Sequence, residues 1–89
     1  MTALACSNVV TTQPAKQNRN GLMISNRKTN LLTAFVVLGS TNPVADGICS
    51  LALAPGDFYE ETRRSPYAGV IKVILSGAGP ENIDITEQV

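Results

Sequence analysis

The chain contains no histidine and no tryptophan, and only two cysteines and four aromatic residues in 89 positions. Without histidine, the Ser/His and Cys/His nucleophile arrangements and most zinc hydrolase sites are excluded. Cys6 and Cys49 form no C-x-x-C pair and are too few for a disulfide framework, so they read as small, reduced, apolar fillers. No apolar run approaches the ~20 residues that cross a bilayer as a helix. Met1-Thr-Ala-Leu-Ala-Cys6 lacks the basic and apolar stretches of a secretory signal, and its lipoprotein-like Ala3–Cys6 box has too few residues before it. These features predict a soluble protein made in a cytoplasm, with no membrane partner. A domain of this length buries only about 60% of its unfolded surface. With so few large side chains, association with copies of itself or with a larger body is the expected source of further stability.

Charge of one sign is missing from the first half. Residues 1–45 hold Lys16, Arg19, Arg27 and Lys28 and no acid, whereas the remainder sets seven acids against Arg63, Arg64 and Lys72, so the halves carry +4 and −4. Such a split suits head-to-tail association or a partner of one sign. Lys16, Arg19, Arg27, Lys28, Arg63 and Arg64 are therefore the candidate partner interface. The four basic residues of the first half have no aromatic stacking platform among them, and the pI is 6.1, so direct nucleic-acid binding is not expected.

What is present is a series of short apolar bursts separated by Gly, Pro, Asn, Asp and Ser. That spacing predicts an all-β chain, a small antiparallel β-sandwich or jelly-roll-like barrel of about six to eight short strands. Residues 1–8 read as a flexible N-terminal arm and 9–89 as one β-sandwich domain. Val9–Thr12 is β-branched and predicts a first strand. Leu22 and Ile24 alternate with Met23 and Ser25, and Asn26–Asn30 reads as a turn. Leu31–Leu38 is the longest apolar run and predicts a central strand covered on both faces. Ile48–Leu53 and Phe58–Glu61 are further strands joined through Pro55-Gly56, a pair suited to a type II turn. Val70–Leu75 is a strand, Gly77–Pro80 turns the chain, and Ile83 and Ile85 alternate with Asp84 and Thr86 in the last strand.

Little in these residues points to a reaction. Asp57, Glu60 and Glu61 are the only close carboxylates, and they read as an acidic strand edge rather than a catalytic pair. No D-x-D-x-D-G ladder for calcium is present. Gly77-Ala-Gly79 lacks the helix and lysine of a phosphate loop. No cofactor or metal is expected. Tyr59 and Tyr67 are candidate stacking residues for a carbohydrate-binding module, but with no Trp and only two Tyr, structural packing at a strand end is the better reading.

Three phrases in order carry a resemblance. Asn18-Arg-Asn-Gly-Leu-Met-Ile-Ser-Asn26 resembles the NPNRxGLxIxN phrase of small structural proteins of tailed bacteriophages and prophages. An apolar strand ending at Gly39 follows, then Gly47 through Leu53-Ala-Pro-Gly-Asp57 to Glu60 or Glu61, similar to GxxLxPGxxxE. Tyr67-Ala-Gly-Val-Ile-Lys-Val-Ile-Leu-Ser-Gly77, then Ile83-Asp-Ile-Thr-Glu87, resembles a YxGxIxAIxxxGxxxLxVxE ending, with Lys72 where the family has a small or aromatic residue. The resemblance spans residues 9–88. It implies a non-enzymatic virion protein with a β-sandwich fold, found in the particle and made in the host cytoplasm. A capsid decoration (cement) protein is the first expectation, and a tail, neck or fibre-anchoring protein the second. Its partners would be the major capsid protein or other virion proteins, and it would be a homo-oligomer, with a trimer among the options.

Overall fold

Alternation of side chains decides which face of each strand is buried before any long-range contact does. In strands, successive residues point to opposite faces, so a run with apolar residues at every second position must lay one face on a core. The computed structural model describes residues 2–15, 21–61 and 67–88. Among them eight strands form: β1 (Thr2–Cys6), β2 (Thr11–Gln13), β3 (Gly21–Asn26), β4 (Ala34–Leu38), β5 (Leu51–Leu53), β6 (Phe58–Glu61), β7 (Ile71–Leu75) and β8 (Glu81–Gln88). They make two four-stranded antiparallel sheets, ordered β1-β8-β3-β6 and β2-β7-β4-β5. Each sheet interleaves strands from the two ends of the chain, which is the strand order of an eight-stranded jelly roll. The all-β sandwich read from the sequence is therefore the observed fold.

The core between the sheets is aliphatic. Cys6, Leu22, Ile24, Ile83 and Ile85 of the first sheet face Ala34, Val36, Leu53, Ile71, Val73 and Leu75 of the second, all buried. β4 is buried on both faces over Ala34–Val37. Ala34 and Val36 enter the core, while Phe35 and Val37 lie on the other side and are also buried. The long β4–β5 loop is tied back to this sheet, its Ser50 N–H donating to Val36 O at 2.7 Å. Val37 pairs with Lys72 in register, and Lys72 Nζ donates to Asn42 Oδ1 of that loop at 3.1 Å. Burial on both faces, expected from the run around Phe35, thus holds for Ala34–Val37.

Several boundaries differ from the sequence reading, each for an identifiable reason. The residues expected as a flexible arm form β1, which pairs with β8 through Thr2↔Ile85 to Cys6↔Glu81 and buries Cys6. Val9 and Val10 belong not to a strand but to the corner where the chain leaves one sheet for the other. There Ser7 Oγ accepts the Val9 N–H at 3.2 Å and Ser7 O accepts the Leu75 N–H at 2.8 Å. Leu31, Leu32 and Thr33 precede β4 because their N–H groups are taken by side chains rather than by a ladder. Ile48 lies in the β4–β5 loop, 57% exposed.

Turn chemistry behaves as its residues dictate. Asp57 N–H donates to Ala54 O at 2.9 Å, closing a turn with Gly56 at φ 92. That left-handed conformation is costly for a residue with a Cβ.

Candidate interaction surface

Because the strands alternate in direction, the β1–β2, β3–β4, β5–β6 and β7–β8 connections gather at one end of the sandwich. A polar network locks that end. Asn26 falls on the core face of β3, two residues after Ile24, and is 1% exposed. Its Nδ2 donates to Leu53 O at 2.8 Å and to Leu32 O at 2.9 Å, while Oδ1 accepts from Asn30 Nδ2 at 2.8 Å. Its backbone N–H donates to Asp57 O and its carbonyl accepts from Gly56 N–H. One residue, through its backbone and side chain together, therefore joins the β3–β4 and β5–β6 turns.

The β7–β8 turn completes the lock. The Glu81 carboxylate accepts the N–H groups of Leu31 and Leu32 at 2.8 and 2.9 Å, and Asn30 Nδ2 also reaches Asn82 O at 2.8 Å. Thr33 and Ser76 exchange two further bonds. Arg27 forks onto Asp84, with Nε to Oδ2 at 2.9 Å and Nη2 to Oδ1 at 2.8 Å. The Asp84 hydrogen bond raises the guanidinium pKa above its ordinary value.

On this braced end sit three apolar side chains open to solvent: Val9 at 69%, Leu31 at 88% and Phe58 at 64% exposure. Phe58 begins β6 beside Ser25 in register. The Leu31 backbone is held on Glu81 while its side chain faces water.

Of the sequence-predicted interface residues, the structure describes Arg27 and Lys28. Lys16, Arg19, Arg63 and Arg64 lie outside the described residues. Arg27 is bound to Asp84, and Lys28 is exposed on the β3–β4 turn at the locked end. The acids do not converge. Glu61 is buried on β6 and accepts the Tyr67 N–H at 3.0 Å, whereas Glu60, one residue earlier, points to the opposite, exposed face. Asp57 Oδ2 accepts the Ala54 N–H within its turn. Among the described residues no group of three acids or thiols is placed to hold a metal ion.

Tyr59 and Tyr67 pack against the core, and Tyr67 Oη donates to Val70 O at 2.7 Å, so both rings serve the strand ends rather than an open stacking surface. Phe58 is the exposed aromatic. The sequence reading missed Asn26, Val9, Leu31 and Phe58. Asn26 carried a signal, because the Leu22, Ile24, Asn26 alternation puts it on the inner face. The exposed apolar residues carried none, since composition cannot separate them from core residues.

The two cysteines are free and differ in setting. Cys6 is buried as expected of a filler, and burial pushes its thiol from 9.0 up to about 11 despite a hydrogen bond from the Ile83 backbone. Cys49 is exposed in the β4–β5 loop, which corrects the filler assignment there. A colorimetric thiol reagent at pH 8 is expected to modify one equivalent rapidly, at Cys49, and the second only on unfolding. Because the folded pKa is raised, the stabilisation from the neutral Cys6 thiol is full below pH 9 and lost as pH rises through about 11.

Comparison with protein-family models, with characterised proteins and with solved structures finds no match to this chain.

Proposed function

We propose that this chain is a non-enzymatic structural protein of a bacteriophage particle, a capsid decoration (cement) protein that binds the assembled head and stabilises it. One observation carries the reading. The first two phrases that resemble phage structural proteins meet at Asn26: the last residue of Asn18–Asn26 is the buried hub, and Pro55-Gly56-Asp57 of the second docks its backbone there. The phrases thus encode a frame, and that frame presents Leu31 and Phe58 to a partner. A protein that binds only the assembled shell favours that shell by mass action. Apolar anchors near the centre of a contact supply most of its energy.

Intact-particle mass spectrometry tests this. A copy number near that of the major capsid protein is expected. Six or twelve copies would assign a tail, neck or fibre-anchoring role instead, and absence from the particle would remove both. Leu31→Asp with Phe58→Asp is expected to abolish shell binding while circular dichroism and melting of the free protein stay unchanged, because neither side chain belongs to the core.

A further inference from the structure

We propose that a second copy of this chain pairs with β1, antiparallel and about a two-fold axis at Leu4, joining two four-stranded sheets into one continuous sheet. Among the described residues β1 is the edge of its sheet and pairs with β8 alone. Every second residue of such a strand turns its N–H and C=O away from the sheet, a template for another strand. Sheets normally blunt that template, and the other edges here do so. β2 and β5 have three residues each, followed closely by Pro14 and Pro55. β6 carries Glu60 and Glu61, so pairing it with its own copy would set carboxylates against each other. β1 reads Thr-Ala-Leu-Ala-Cys, five residues with no charge, proline or glycine.

The same five residues choose the occupant. Read from either end about Leu4, the strand is nearly the same: small, small, Leu, small, small. Antiparallel self-pairing sets Leu4 against Leu4, Ala3 of one copy against Ala5 of the other, and Thr2 against Cys6. Ala3 and Ala5 are exposed on the outer face, in register with Asp84 and Asn82, and their size lets backbones approach without obstruction. Leu4 is half-buried at the rim of the core, where its own copy would cover the remainder. No charge meets a charge. One such contact uses both β1 edges, so the assembly closes as a pair rather than growing. The pair stands on β1 alone and holds whether or not the protein binds a phage head.

Sedimentation equilibrium of the full chain is expected to show, with rising concentration, a species of twice the 9.4 kDa chain mass. Ala3→Lys with Ala5→Lys puts ammonium groups directly opposite one another across the two-fold axis, weakening association by roughly 100-fold. Ala3→Glu with Ala5→Glu does the same. An equimolar mixture of the two variants restores the pair, a rescue that only contact between the two strands produces. Circular dichroism reports whether each variant folds. If either does not, amide exchange of residues 2–6 in the unaltered protein decides, slowing as concentration rises. A chain monomeric to millimolar concentration, a trimer whose mass the lysines leave unchanged, a mixture that stays monomeric, or exchange independent of concentration overturns the proposal.

Discussion

Asn26→Ala is expected to destabilise the protein by about 3–5 kcal/mol, a large part of the roughly 5–15 kcal/mol that holds a small domain folded. Truncation removes three side-chain bonds at once. It leaves Leu53 O, Leu32 O and Asn30 Nδ2 without that partner, and a buried group so orphaned costs about 1–3 kcal/mol. Asn26→Asp separates chemistry from volume. It keeps the shape but sets a carboxylate oxygen against two carbonyls that need a donor, so it should destabilise at least as much as alanine. Urea unfolding measures both. If Asn26→Asp matched the unaltered protein at pH 7, the assignment of Nδ2 to those two carbonyls would be wrong. Two turns lean on Asn26, so hydrogen exchange should accelerate first in residues 27–33 and 54–57.

The second large effect lies in the core. Ile24 and Ile85 are directly opposite in the β3–β8 register, and both are fully buried. Each Ile→Ala change should cost about 2–5 kcal/mol, lost transfer energy plus a cavity that a tightly tied sandwich cannot collapse. The two cavities would merge, so the double variant should fall short of the sum by about 1 kcal/mol. Thr86→Ala, in the same strand on the outer face, should stay within about 0.5 kcal/mol. Equal costs at positions 85 and 86 would contradict the facing of β8.

How much of this was legible depended on how local the determining physics is. Phe58–Glu61 and the Ile83/Ile85 alternation were readable because a period of two fixes a face within a few residues. Pro55-Gly56 was readable because left-handed backbone needs glycine. By contrast, Thr2–Cys6 carries little strand signal of its own and became β1 because β8, at the far end of the sequence, offers it a partner. Leu31 has the composition of a core residue, yet it lies outside because Glu81, fifty positions away, takes its N–H. Arg27 reads in the sequence as one exposed cation among several, and its ion pair with Asp84, fifty-seven positions away, is visible only in the fold.

The sequence by itself determined the class: an all-β chain, its strand faces and tight turns, and, through the absence of histidine, the catalytic arrangements it does not contain. Those follow from local periodicity, backbone preference and residue chemistry, which act within a few positions. Only the tertiary structure decided that the strands interleave as a jelly roll, that Asn26 joins two turns, that Leu31 and Phe58 face solvent at one braced end, and that β1 is the unguarded edge. Each of these depends on which distant strand supplies a hydrogen-bond partner, a long-range choice that no short window of sequence records.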